Sequence, residues 1–492
     1  MIKTPILIVG AGPTGLMLSA QLHRYGSDHV IADRKPDITK VSKALGVQAR
    51  TLEQYAQLGI ADAATRQGFI AAGMRFIVNG RVRAGLEFGE IGRGLSPFPY
   101  LFILEQSRNE ALLRNKVTAS GGEILWSTEV KDLRVQGKGY AGLLQRADGT
   151  SEPFECQYLV GCDGARSPVR QFLDMPFRGS TNEQLFFVAD VSMEMELEKH
   201  GLLLVLNQKD FFAFFPMSGP GHYRAIGILP PTIVDPDDFS FDQLKFYIEG
   251  NLGFPARVVD HSWYSGYRVH HRITDSFRSG NAFLAGDAAH IHSPAGGQGM
   301  NTGLGDAVNL GWKLAAAVKG WSRPDILNSY NEERRPFGVR LVETTDRAFG
   351  LIVSKSKVAR FLRTRLLPII LGTVLRFERL RRQMFKTISQ TLIDYRKSAL
   401  SDGSRSGSIK SGDRFPWFVW EDGNSFEWLQ EPGYVVLCFG GSPAPDIAGW
   451  SGPVSTFDVK GAAARAAAGA GLPTTGIVEV RPDMHVSRID KR

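Results

Sequence analysis

Residues Ile6-Leu7-Ile8-Val9-Gly10-Ala11-Gly12-Pro13-Thr14-Gly15 join a short apolar run to a GxGxxG cluster. The stretch from Gly15 to Tyr25 then reads as a helix, with Leu16, Ser19-Ala20 and Leu22 at helical spacing, and His29-Val30-Ile31-Ala32 supplies a second strand. Strand–helix–strand over about thirty residues is the βαβ unit that begins a doubly wound sheet. In that setting Gly10, Gly12 and Gly15 allow a tight turn and let the backbone approach a pyrophosphate, which the helix N-terminus stabilises. Asp33 ends the second strand, where a carboxylate accepts from a ribose hydroxyl. A lone GxGxxG carries little weight. With strand, helix, strand and acid all in place, the pattern predicts dinucleotide binding over a merely glycine-rich turn.

Two more motifs follow. Tyr158-Leu159-Val160-Gly161-Cys162-Asp163-Gly164-Ala165-Arg166-Ser167 is one. The other is Asn281-Ala282-Phe283-Leu284-Ala285-Gly286-Asp287-Ala288-Ala289-His290, continued by Ser293-Pro294-Ala295-Gly296-Gly297-Gln298-Gly299-Met300-Asn301. With the three in this order the chain resembles the flavoprotein aromatic hydroxylases, the para-hydroxybenzoate hydroxylase and phenol hydroxylase family. The resemblance runs from residue 5 to about residue 345, with weaker matches beyond. It implies FAD as the bound dinucleotide and NADPH or NADH as a transient reductant. It also implies hydroxylation of a small aromatic substrate by oxygen, through a flavin hydroperoxide. By the same resemblance, Asp163 stands where flavin and nicotinamide pass, and Asp287 and Gln106 lie near the ribityl chain. Gly299, Met300 and Asn301 lie against the flavin pyrimidine end. Lys43 replaces the family's usual arginine near the pyrophosphate, keeping the charge and losing bidentate geometry.

The chemistry of the third motif also stands on its own. Reduced flavin carries negative charge near its N1–C2 carbonyl edge, and a helix starting near Gly299 offers that charge unpaired N–H groups and a positive dipole end. Only one dinucleotide fingerprint is present, so a bound FAD leaves no second such domain for the nicotinamide.

The expected architecture is α/β: a doubly wound Rossmann-like FAD domain in two parts (1–175 and 276–345) around an inserted antiparallel substrate-binding sheet (176–275). A basic helical segment (346–400), a polar linker (401–414) and a C-terminal thioredoxin-like domain (415–492) complete it. The last assignment rests on resemblance, through Val480-Arg481-Pro482-Asp483-Met484-His485-Val486. No CxxC is present, which argues against redox activity there. Local patterns predict helices at Thr51–Leu58, Leu304–Val318 and Gly461–Gly471, and hairpin strands between Gly122 and Gly161. Extended structure is expected from Leu185 to Leu229 and at Tyr434–Phe439.

A length of 492 residues with 43% hydrophobic side chains is enough to enclose a cofactor. Cys156, Cys162 and Cys438 form neither a disulfide framework nor a metal set, which points to a reducing cytoplasm, and the N-terminus lacks a signal-peptide layout. The net charge of +8 is local, because fourteen Lys/Arg face three Asp/Glu between Lys355 and Lys410. No nucleic-acid-binding motif accompanies it, so nucleic acid is not an expected partner. The apolar run Leu366–Leu375 contains Pro and Gly and is too short to span a bilayer. Its flanking Arg363, Arg365, Arg376, Arg379, Arg381 and Arg382 suggest a weak peripheral contact with an anionic membrane. A solvated face over a packed helix is the plainer reading.

Hydroxylation of this kind needs a dry site and a nucleophilic substrate carbon, not a protein nucleophile. Tyr223, Arg224 and Tyr267 are the candidates for touching a bulky phenolic or polycyclic substrate. Phe211, Phe212, Phe214 and Phe215 must divide between the two faces of a strand. His290 and His292 lack a third partner, so no metal is expected. Two other readings use the same residues: a drug-inactivating or Baeyer–Villiger-type oxygenase, and a flavin-binding protein without turnover.

Overall fold

The computed structural model describes residues 1–42, 44–195, 201–207, 211–293, 297–353, 356, 358, 361–366, 369–370 and 377–491. The chain opens with β1 (Ile2–Val9), α1 (Pro13–Arg24) and β2 (Val30–Ala32). Pro13 occupies the first turn of α1, where a missing N–H costs nothing. Then come α2 (Ala49–Gln57), the hairpin β3 (Gly73–Val78) and β4 (Arg81–Glu87), α3 (Gln106–Ala119), β5 (Ser151–Gly161) and the short α4 (Pro168–Phe172). Four extended strands follow: β6 (Phe177–Met195), β7 (Gly201–Leu206), β8 (Phe211–Pro216) and β9 (His222–Ile228). Ser240 and Gln243 form a capping box that starts α5 (Phe241–Asn251). Beyond it lie β10 (Ala256–Thr274), β11 (Ala282–Leu284), α6 (Gly299–Val318), α7 (Asn328–Val353) and α8 (Glu378–Ile388). The chain ends with β12 (Tyr434–Phe439), β13 (Val454–Val459), α9 (Gly461–Gly469), β14 (Gly476–Val480) and β15 (Val486–Asp490).

The first sheet has the parallel core β11-β5-β1-β2, with Ile124–Leu125 beside β2. Its strands are apolar on both faces because helices cover both: Ile6, Leu7, Ile8, Leu159, Val160 and Phe283 are all fully buried. Leu16 and Leu22 of α1 and Leu304, Leu310 and Leu314 of α6 join the same core.

The second sheet runs β10-β6-β9-β8-β7-β3-β4. Four of its neighbouring pairs, from β10–β6 to β8–β7, are within reach of the sequence pattern, but β3 and β4 lie at residues 73–87, outside the expected span of 176–275. β3 pairs with β7 in parallel, in register Gly73 with Gly201 through Val78 with Leu206. A parallel pairing between distant segments leaves no local signature, so this one is visible only in three dimensions.

A third sheet, β13-β12-β14-β15, packs against α9 and its own apolar core. The polar stretch before it is not the flexible linker its composition suggests. Arg405–Ser406 and Ile409–Lys410 pair as a short hairpin, and Gly412 N–H donates to Val486 O (2.6 Å). The backbone is therefore committed to the third sheet. Most of Leu366–Leu375, together with Arg376, lies outside the described residues. Among the described residues no helix is long and apolar enough to cross a membrane.

The third sheet is fastened to the first through buried charge. Arg481 donates to both oxygens of Glu333 (2.7 and 2.9 Å) and to Asp483 (3.0 and 2.6 Å). Lys313 also reaches Glu333 (2.7 Å), and Arg414 grips Glu53 of α2. Buried charges on this scale persist only when paired and hydrogen-bonded.

Candidate functional site

The three glycine motifs meet at one point. A Cβ at Gly10 would collide with the carbonyl of Cys162, and one at Gly15 would collide with the carbonyl of Gly10. A Cβ at Gly286 or at Gly303 would strike the Thr14 hydroxyl. Glycine is therefore demanded by close packing of the first motif on the second and third. At Gly12 a Cβ would meet open space, on the side where the N-terminus of α1 presents its amides.

Asp33 lies at the end of β2 and is buried. Its Oδ2 accepts from the Ala11 N–H (2.6 Å) and its Oδ1 from the Lys35 N–H (2.8 Å). The carboxylate thus ties the glycine turn to β2, and each oxygen retains a second acceptor position. Gln106 begins α3; its Nε2 donates to Glu110 (2.9 Å), whose other oxygen accepts from the Thr39 N–H (2.7 Å). Lys43 lies outside the described residues. Its neighbour Ser42 sits 3.0 Å from Ser107, so the chain on either side is held against α3.

Asp163 follows β5 and accepts from the Val169 N–H (3.0 Å), while its Oδ1 is buried without a partner among the described residues. Burial pushes its carboxyl above the usual range. Asp287 is exposed on the turn that follows β11.

Gly299, Met300 and Asn301 form the first turn of α6, ahead of the bond from Thr302 N–H to Gln298 O (2.9 Å). Their amides precede the first intrahelical bond, so the positive end of a twenty-residue helix is directed at this region. The Asn301 side chain is already engaged. Its Oδ1 accepts from the Gln48 N–H and the Thr51 hydroxyl (both 2.8 Å), and its Nδ2 donates to Gly46 O (2.9 Å) and Gly297 O (3.0 Å). Its side chain is thus spent on the protein, and what it can offer a ligand is its backbone N–H in the first helical turn.

Asp306, which sequence reasoning passed over, sits buried behind this turn. It accepts from Gly286 N–H (3.0 Å), His290 Nε2 (2.8 Å) and Arg334 Nε (2.7 Å). His290 is thereby committed to a carboxylate, and His292 Nδ1 donates to Ser293 O (2.8 Å). A lone acid inside an otherwise apolar helix was the available signal, since such a group needs buried partners.

The second sheet supplies a wall. Its outer face, with Phe187, Phe212, Phe214 and Tyr223, packs under Leu244 and Ile248 of α5. Tyr223 is therefore a core residue and no longer a candidate for substrate contact, because alternation sends it away from Arg224. The inner face carries Phe211 and Ala213, which meet Leu45, Ala49 and Phe385, with Phe215, Met217, Leu202 and Leu204 partly buried alongside. Across this face Trp263, Asp190, Arg224 and Phe215 stand in register. Arg224 holds Asp190 through two 2.7 Å bonds, and its Nη1 is buried without a partner among the described residues. Tyr267 stands opposite Phe186 in β6, and burial pushes its phenol up to about 12.

The family described as FAD binding domain matches residues 3–345. The chain is 37% identical over 362 residues to 6-methylpretetramide 4-monooxygenase of Streptomyces rimosus, covering 72% of this chain and 63% of that protein. It is 33% identical over 363 residues to pentachlorophenol 4-monooxygenase of Sphingobium chlorophenolicum, covering 72% and 65%. Each of these matches thus spans less than two thirds of the relative. Among solved structures, the anhydrotetracycline hydroxylase from Streptomyces rimosus superposes with a TM-score of 0.81 at 30% identity, covering 99% of this chain and 95% of that one.

Proposed function

The chain belongs to the FAD-binding family of flavoprotein aromatic hydroxylases, and from that premise we propose that it inserts one atom of dioxygen into a bulky phenolic or polycyclic substrate, with NADPH or NADH as reductant. One observation carries this reading: the first glycine motif packs on the second at Cys162 and on the third at Thr14, with the N-terminus of α6 beside them.

The residues present fit FAD. Asp33 would hold a ribose hydroxyl, and the amides opening α1 would hold the pyrophosphate across the space beside Gly12. Gln106 and Asp287 would hold the ribityl chain. The amides of Gly299, Met300 and Asn301 would stabilise negative charge at the pyrimidine edge. When bound, FAD supplies the redox chemistry that links the nicotinamide to dioxygen.

The chain's own part is to place the substrate and keep water out. Phe215, Met217, Leu202 and Leu204 offer a planar ring system an apolar surface. The Tyr267 phenol stays protonated at neutral pH and orients a substrate oxygen as a hydrogen-bond donor. The names of the relatives, which include a pretetramide, an anhydrotetracycline and a chlorinated phenol, support a substrate of this class. Lys43 takes the place of the pyrophosphate-side cation.

Purification tests the cofactor assignment directly. The protein is expected to be yellow and to release FAD on denaturation. Release of FMN instead, or no flavin taken up on reconstitution, would remove the basis of the proposal.

A further inference from the structure

The start of α6 is tied to a segment that the glycine motifs do not include. Phe385 of α8 is fully buried in the same apolar core as Phe211, Ala213 and Leu206 of the inner sheet face, and Met384 packs against that core. It also fills the space over Gly92, where a Cβ would collide with the phenyl ring. Within a few residues the chain has crossed to α6. Gln298, at the N-cap of α6, donates from Nε2 to Ile388 O (3.0 Å). Gln390 donates from its own Nε2 to Gln298 Oε1 (2.7 Å) and to the Thr302 hydroxyl (3.1 Å). The intervening Ser389 carbonyl accepts from the Arg50 N–H at the start of α2 (3.2 Å).

Gln390 also adopts φ of 60°, a left-handed conformation that a residue with this side chain rarely takes. Such a conformation persists only where its surroundings hold it. Both glutamines are buried, with both ends of the Gln298 amide and the Nε2 of Gln390 bonded across the two segments they join. An apolar pair would fill the same space, but it would not fix the register of α8 against α6.

We propose that Gln390 is a positioning residue that couples the wall of the substrate chamber, α8, to the helix N-terminus facing the flavin, α6. The inference rests on the reading that FAD lies against Gly299–Asn301 and the substrate against the apolar sheet face whose core Phe385 joins. A shift of α8 is transmitted through Ile388 and Gln390 to Gln298, and so to the first turn of α6. Coupling of this kind is reciprocal, so FAD bound at α6 must in turn be felt at α8.

Hydrogen–deuterium exchange of the apoprotein and of the FAD-reconstituted full chain tests this. In the wild type, FAD is expected to slow exchange both in 299–303 and in 385–390. In Gln390→Asn, FAD should slow exchange in 299–303 only, and the FAD Kd should rise roughly two- to tenfold, the loss of one or two hydrogen bonds. Asn tolerates positive φ better than Gln does, so this variant removes the bonds without adding strain. Gln298→Ala should show the same split and serves if the first variant does not fold. The inference is overturned if FAD protects 385–390 in Gln390→Asn as it does in the wild type. It also falls alone if the wild type binds FAD, protects 299–303 and leaves 385–390 unchanged. A wild type that takes up no FAD overturns both this coupling and the function on which it rests.

Discussion

Asp287 is exposed on its turn, and its expected partners are ribityl hydroxyls. Asp287→Ala should weaken FAD binding roughly tenfold or more, as loss of charge-assisted hydrogen bonds does, and should disturb FAD retention more than folding. Fluorescence titration of apoprotein with FAD measures it, and an unchanged Kd in a folded variant contradicts the assignment. Arg224 and Asp190 make a different case, since the two are buried and bonded to each other. Asp190→Ala should destabilise the fold by roughly 3–5 kcal/mol in urea unfolding, because it strands a buried guanidinium, and Asp190→Leu with Arg224→Met should recover most of that loss. If the single and double variants are equally unstable, the pair is not what holds this part of the sheet. At this scale the sequence identifies residue types better than their tasks. Asp33, Asp163 and Asn301 all stand at the site, yet each spends part of its bonding on the protein's own amides. Motif spacing does not reveal which bonds are already taken. Tyr223 and Arg224 are adjacent in sequence, and only the phase of β9 tells that one faces the core under α5 and the other the opposite face of the sheet, beside Phe215.

At the scale of elements, the parallel core and α6 are legible because strand–glycine turn–helix units leave local signatures, repeated here around Gly10, Cys162 and Gly286. The pair β3–β4 and the bound stretch 401–414 are not. Their structure depends on long-range pairing, which composition does not encode. The same holds for Glu333, an unremarkable acid in α7 that joins α6 and α7 to the third sheet. Burial alone would raise its carboxyl, but Arg481 and Lys313 hold it down to about 2, from 4.5 unperturbed. A depressed carboxylate contributes stability that is complete above its unfolded pKa and is lost as pH falls through the folded one. Unfolding free energy should therefore decline as pH falls from about 4.5 toward 2. Glu333→Gln should lose roughly 3–5 kcal/mol at neutral pH and show a flatter acid limb. Denaturant titrations across that range check it. An acid limb of equal slope in the variant would show that other carboxylates govern the decline.

For the whole molecule, the proposed function and a single dinucleotide fingerprint lead to the expectation that the nicotinamide visits a site shared with the flavin. Reduction without substrate would waste reductant as hydrogen peroxide, so substrate is expected to favour the reducible arrangement by binding it better. A hundredfold faster reduction needs only about 2.7 kcal/mol of such preference. Anaerobic stopped-flow absorbance with NADPH should show the acceleration on adding a phenol that is turned over, and equal rates with and without it would reject gating by substrate. The outline of this machine is readable from Gly10–Gly15, Asp163 and Asp287 alone, because phosphate-binding turns constrain sequence tightly. The chamber is not, because any set of apolar side chains with the right shape can line it. The central claim is insertion of one oxygen atom into an aromatic ring, and labelled dioxygen tests it most directly. The FAD-loaded protein is incubated with NADPH and a panel of polycyclic phenols, and the products are weighed by mass spectrometry. The account predicts, for a phenol that stimulates NADPH oxidation, a product carrying one heavy oxygen atom. Stimulated oxidation that yields only hydrogen peroxide across the panel, or a product whose new oxygen comes from water, would contradict it.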